Sequence, residues 1–351
     1  MAEPLKNHFG QDVPRRIASM IGRVDEAFDQ DVFLQSALDG FEELELTGRA
    51  WHIAHALADA LPDDREKANQ VLLDSLGPEI GEPELTGMES FLYLPAVFFL
   101  AEYGLDCFEA SMRAQYELTK RFTAEFSIRA FLDRYPERTL DRLRKWAQEP
   151  NAHVRRLVSE GTRPRLPWAP RLRRFQEDPT PVLELLEHLK DDPEEYVRRS
   201  VANNLNDISK DHPVLVVETA ERWIDGADAN RKRLVRHALR TLIKKGDQGA
   251  IALLGFGADS PARVEAVICE PESVEIGGRI RIRIQVVNPS SEETGALVDL
   301  RVHFVKADGS TSPKVFKGSE RILGPGDQAW IKKTISVAQQ STRTHYPGTH
   351  Q

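Results

Sequence analysis

Two glutamates stand where an acid is least expected. Residues 120–175 hold 15 Lys+Arg against 6 Asp+Glu, a balance of +9, while residues 1–119 hold 8 against 23, a balance of −15. Partner choice follows the local field, so the basic block suits a polyanion although the chain as a whole carries −8. A helix surface rich in Arg for solubility is the plainer reading, but the excess falls in one block. Acids inside such a surface repel phosphates and must be paired or used. Glu125 lies between aromatics in Phe122-Thr123-Ala124-Glu125-Phe126-Ser127-Ile128-Arg129, and Glu160 opens Glu160-Gly161-Thr162-Arg163-Pro164-Arg165-Leu166-Pro167-Trp168. A carboxylate can oppose a developing cation or take a proton from water. Asp133, eight residues after Glu125, is expected on roughly the same helix face. Asp133 and Asp207 are expected to pair with Arg, which leaves Glu125 and Glu160 as the candidates for chemistry.

The basic residues are spaced as a repeat. Asn151-Ala152-His153-Val154-Arg155-Arg156 is echoed 43 residues on by Glu194-Glu195-Tyr196-Val197-Arg198-Arg199, and more weakly 38 further by Arg233-Leu234-Val235-Arg236-His237. Trp146 and Trp223 close the helices before the first and third units. Periods of about 40–47 residues belong to HEAT or armadillo helix pairs, whose equivalent helices line one concave face. Arg at a helix start suits phosphate, because free N–H groups and the dipole add to its bidentate donors. Alternatively, one Arg of each pair bridges to the next repeat. Phosphate is the expectation for Arg155 and Arg156, which lie in the basic block; both readings stand for Arg198 and Arg199. Beyond them, Gly161, Pro164 and Pro167 set an irregular backbone that carries Arg163, Arg165 and Trp168. Trp168 can stack on a nucleotide or fill the core.

Two kinds of element must position these groups. Up to Gly257 the chain reads as helix: Ile53, Leu57 and Leu61 recur at i, i+4, i+8 before Pro62. Beyond it, Arg279 to Val286 alternates strictly, with Asp308-Gly309 and Gly324-Pro325-Gly326-Asp327 as turns and Trp330 to Val337 as another strand. The expected fold is mainly α: a HEAT-like helical-repeat solenoid over residues 1–257, then a small all-β immunoglobulin-like sandwich over 262–351. That sandwich lacks its last strand or leaves an edge open. Arg279, Arg281 and Arg283, opposite the isoleucines, form either a phosphate clamp or a solvated face; with a clamp, deleting 262–351 weakens DNA affinity. Two cysteines, Cys107 and Cys269, argue against a disulfide framework and a cysteine-rich metal site. The polar N-terminus has no signal core, and Phe91–Ala101 is too short to span a bilayer and reads as a buried helix. A cytoplasmic monomer with no metal, no cofactor and no membrane partner is expected.

At these residues the sequence resembles the HEAT-like-repeat DNA glycosylases of the AlkC/AlkD superfamily, AlkC in particular. The likeness is carried by Thr123–Arg129, Glu160–Trp168, Tyr196–Asp207 and Arg240-Thr241-Leu242-Ile243-Lys244-Lys245-Gly246-Asp247, and covers roughly residues 1–257. The resemblance implies excision of 3-methyladenine-type lesions from double-stranded DNA without a deep base pocket. Some AlkC members carry a C-terminal immunoglobulin-like domain. AlkD has an active-site Trp where Asn203 stands here and a conserved Arg at Arg156, so Trp168 is left to supply an aromatic surface; the AlkD acid falls within a few residues of Glu125. A base methylated on a ring nitrogen is already a good leaving group, so the need is a carboxylate that stabilises the oxocarbenium-like sugar and positions water. Glu125 takes that role, with Glu160 assisting or contacting the lesion, and Arg155, Arg156, Arg163, Arg165, Trp168, Arg198, Arg199, Asn203 and Asp207 are the expected DNA-binding set. No lysine is placed for Schiff-base chemistry, which implies a monofunctional enzyme. The rival is a non-enzymatic HEAT scaffold that binds DNA or protein.

Overall fold

The computed structural model describes residues 5–80, 89–257, 260–340 and 343–351; residues 1–4, the start of the polar N-terminal stretch, lie outside these. Helices occupy the chain up to Ala252: α1 (Asp12–Gly22), α2 (Gln30–Leu38), α3 (Leu46–Ala60), α4 (Arg65–Asp74), α5 (Leu94–Tyr103), α6 (Phe108–Thr119), α7 (Ser127–Arg134), α8 (Pro136–Trp146), α9 (Ala152–Gly161), α10 (Arg173–Glu177), α11 (Thr180–Leu189), α12 (Glu195–Ile208), α13 (Pro213–Ile224), α14 (Ala229–Ala238), α15 (Arg240–Lys245) and α16 (Gln248–Ala252). Their starts follow from local chemistry. Asp29, Asp64, Asn151 and Asp247 each accept backbone N–H bonds of the turn they open. Pro136 and Pro213 occupy first helical positions, where no N–H is needed.

Two compact units result: residues up to Val216 with Asp225–Ala238, and Val217–Ile224 with Leu239–Gln351. In the first, alternate helices stack on their counterparts: α3 on α5, α5 on α7, then α9 on α12 and α12 on α14. This is the HEAT-like arrangement. Ile53, Leu57 and Leu61 are buried in the shared core. So are Leu94 to Leu100, in a stretch that runs as a short 3-10 turn into α5. Gly161 allows α9 to approach α7, since a Cβ there would lie 2.5 Å from Ile128 Cγ2. No helix among the described residues is long and apolar enough to cross a membrane.

The second unit holds the strands β1 (Arg263–Glu270), β2 (Arg279–Val287), β3 (Thr294–Val305), β4 (Thr311–Leu323) and β5 (Gln328–Ser336). They form an antiparallel sheet in the order β1-β2-β5 and a β3-β4 hairpin. The alternation in β2 does what period 2 requires: Ile282, Ile284 and Val286 are buried, and Ile284 faces Ile331 across the β5 ladder. Both sheets contribute to one core through Val302, Phe304, Leu323 and Ile335. Gly309 and Gly326 adopt positive φ at the two expected turns. The edge of β3 is not open along its length, because Gln351 exchanges both backbone hydrogen bonds with His303.

Candidate active site

α9 and α12 start alike, and their first arginines do the same work. Arg155 Nη1 donates to the carbonyls of Glu149 and Pro150 at 2.8 and 2.7 Å. Arg198 Nη1, 43 residues on, donates to those of Asp192 and Pro193. Arg155 also clasps the Asp192 carboxylate through Nε and Nη2, at 2.6 and 3.0 Å. One arginine of each pair therefore ties a repeat to its connecting loop, and Arg155 to the next repeat as well, so the bridging role prevails over phosphate at this position.

The second arginines differ. Arg156 donates to Glu125 Oε2 at 2.8 Å, lies 3.7 Å from Glu160 Oε1, and covers the Tyr196 ring at 5.2 Å. Arg163 donates to Glu160 Oε1 at 2.6 Å and to Asp207 Oδ2 at 2.8 Å, and Lys210 donates to Asp207 Oδ1 at 2.8 Å. Acids and bases thus alternate from Glu125 to Lys210. This explains how these acids persist in a basic block: Glu160 and Asp207 each sit between two cations, and Glu125 is held by Arg156. Burial opposes charge on Glu160, yet Arg156, Arg163 and the Ser200 hydroxyl hold its carboxyl below the usual glutamate range. Burial would likewise lower Arg156, but the Glu125 and Glu160 carboxylates push it above the ordinary arginine value.

Glu125 is not helical. It precedes α7, in a turn where Thr123 Oγ1 accepts from its backbone N–H at 3.2 Å and donates to its Oε2 at 3.0 Å. The expectation of a helix face shared with Asp133 fails for that reason. Asp133 is exposed and makes no ion pair among the described residues; Arg129, one helical turn earlier, is drawn to backbone carbonyls instead. Both hydrogen bonds to the Glu125 carboxylate fall on Oε2, which leaves Oε1 with no protein partner among the described residues. Glu160 lies on the last turn of α9 and has both oxygens taken, Oε2 by Ser200 at 2.6 Å.

These two carboxylates open on a cavity of about 300 Å³ whose walls are Phe91, Phe98, Phe122, Phe126 and Trp168, with Arg156 beside the acids. Trp168 is 66% exposed, so it is not core packing. It is also the one non-glycine residue among those described with positive φ, +64°. Arg165 pairs with Asp211, Nη2 to Oδ1 at 2.6 Å. Asn203 Oδ1 meets His237 Nε2 at 3.0 Å. Arg199 is exposed and borders a separate cavity of about 200 Å³ between α12 and α14, with Arg233 and His237. Sequence reasoning missed Phe91 and Phe98 as walls of the cavity, and Tyr196 under Arg156; a ring brought in from a distant segment leaves no local signal.

Helical repeats that bring two carboxylates and their arginines to an aromatic cavity, followed by an immunoglobulin-like sandwich, define the class: a HEAT-like repeat protein with a C-terminal sandwich. Residues 120–245 match the family described as DNA alkylation repair enzyme, and residues 263–351 match the C-terminal Ig-like domain of the family described for the uncharacterised protein YhaZ. The Bacillus subtilis protein YhaZ is 35% identical over 324 residues, 92% of this chain and 87% of that protein. A solved structure of the Pseudomonas fluorescens alkylpurine DNA glycosylase AlkC, bound to DNA containing an abasic site analog, superposes with a TM-score of 0.90 at 37% identity. It covers 99% of this chain and 94% of that one. The chain belongs to the AlkC family of DNA alkylation repair proteins.

Proposed function

We propose that the chain is a monofunctional DNA glycosylase that hydrolyses the N-glycosidic bond of cationic alkylated bases, 3-methyladenine among them, in double-stranded DNA. The observation that carries this reading is the unpartnered Oε1 of Glu125 beside an aromatic cavity, next to a second carboxylate kept ionised by arginines. As the C1′–N bond breaks, its electron pair moves to the base and cancels the positive charge there. The sugar becomes oxocarbenium-like, and Glu125 opposes that charge. Water then bonds to C1′ and gives its proton to Glu125. Glu160 acts through Arg156, which it and Glu125 share, and keeps Glu125 in place. The aromatic walls suit a flat cationic base or its sugar. No lysine lines this cavity among the described residues, which fits hydrolysis without a Schiff base. A neutral base would be ignored, since its bond breaks only with the activation that the cationic base carries itself.

The test is chromatography of bases released from methylated duplex DNA by wild type and Glu125→Gln. Release of 3-methyladenine is expected from the wild type, with the variant about 10²–10⁴-fold slower and DNA affinity little changed. Equal loss of binding and rate would make Glu125 structural. No release by either chain, with tight DNA binding intact, would leave a non-enzymatic solenoid.

A further inference from the structure

Arg129 is a buried cation with no acid in contact. It is 4% exposed, makes no ion pair among the described residues, and its Nε has no hydrogen-bond partner. Burial pushes its guanidinium down to about 10. Such a group is costly to keep unless its donors do something that a smaller or neutral residue could not. Its hydrogen bonds all go to one segment. Nη1 donates to the carbonyls of Gly161 at 3.1 Å and Arg163 at 2.7 Å, and Nη2 to that of Pro170 at 2.5 Å.

Those three carbonyls are the neck of the loop that leaves α9 and carries Trp168. The neck is narrow, since Leu172 N–H donates to the Pro164 carbonyl at 3.2 Å. Leu166 and Leu172 anchor its two sides in the core. Trp168 stands between the pinned ends in a left-handed conformation that costs about 1 kcal/mol or more for a non-glycine residue. Local sequence does not favour that conformation, so tertiary contacts must hold it. A planar guanidinium reaches three carbonyls in fixed directions; an ammonium is a single point.

We propose that Arg129 is a positioning residue: it pins both sides of the 161–170 loop and thereby sets Trp168 over the cavity that holds Glu125. It touches neither DNA nor the reacting atoms. The kinetic part of its test rests on the glycosylase reading; the spectroscopic part does not. In Arg129→Lys, single-turnover release of methylated base falls about 10²-fold, the loss expected of an ångström-scale misplacement. Affinity for undamaged duplex stays within about twofold. Adding Trp168→Ala to that variant costs little more, because both changes disable the same loop. Multiplicative losses would overturn the proposal. The second readout is iodide quenching and anisotropy of Trp168, taken as the difference between chains with and without Trp168 in a Trp330→Phe background. Arg129→Lys frees the indole and lowers its anisotropy, whether or not the protein excises bases. An indole as ordered as in the wild type would overturn the proposal by itself.

Discussion

At the scale of single residues, the site works by sharing cations among carboxylates. This sharing ties the stability of the protein to pH through Glu160. Its folded carboxyl lies below the ordinary value of 4.5, so its contribution is complete above that pH and is lost as pH falls through the lower folded value. Urea midpoints should therefore drop more steeply below about pH 4.5 in the wild type than in Glu160→Gln. Parallel curves would show that the carboxylate adds nothing to the fold. Which glutamate is the better candidate to react was less legible. Both candidates stood out in the sequence as acids in a basic block, but the difference between them lies in the partners of individual oxygens. Oε1 of Glu125 is open, whereas Glu160 is held by Arg163 and Ser200. Ser200 lies 40 residues from Glu160, so no spacing rule could point to it.

At the scale of elements, the repeat explains both likeness and difference. The 43-residue offset maps Arg155 onto Arg198, and both grip loop carbonyls. It also maps Arg156 onto Arg199 and Glu160 onto Asn203. The acid beside the first arginine is thus a neutral amide beside the second. Arg199, exposed next to Arg233, suits a phosphate of the duplex rather than a carboxylate of its own chain. Replacing Arg199 with Gln should lower the slope of log affinity against log salt by about one phosphate contact, and weaken damaged and undamaged duplexes alike. An unchanged slope would remove Arg199 from the DNA-binding set. The Arg-Arg spacing was readable as a repeat, but not which arginine of each pair turns inward. That depends on where the preceding loop presents its carbonyls.

At the scale of the whole molecule, the sandwich offers its own basic face. Of the three arginines on β2, Arg283 donates to Glu270 at 3.1 Å and lies over Trp330, whereas Arg279 and Arg281 are exposed. If that face meets DNA, Arg279→Gln with Arg281→Gln weakens duplex affinity about tenfold, while release from bound DNA keeps its rate. Affinity equal to wild type would make the face a solvated one. Sequence alone determined what periodicity and local chemistry control. The 3.6-residue pattern up to Ala252 and the 2-residue pattern from Arg263 set the two kinds of architecture. Asn151, Pro136, Gly309 and Gly326 set ends and turns, and the charge division marked the block whose residues line the candidate site. Tertiary structure decided the rest. Glu125 became a turn residue, Asp133 went without an ion pair among the described residues, Arg155 served the scaffold, and Trp168 was held exposed in a conformation its own residue type disfavours. Most of these outcomes depend on groups 30 or more residues away, as when Asp192 takes Arg155, Arg156 takes Glu125 and the loop carbonyls take Arg129, and that competition is settled only when the helices pack.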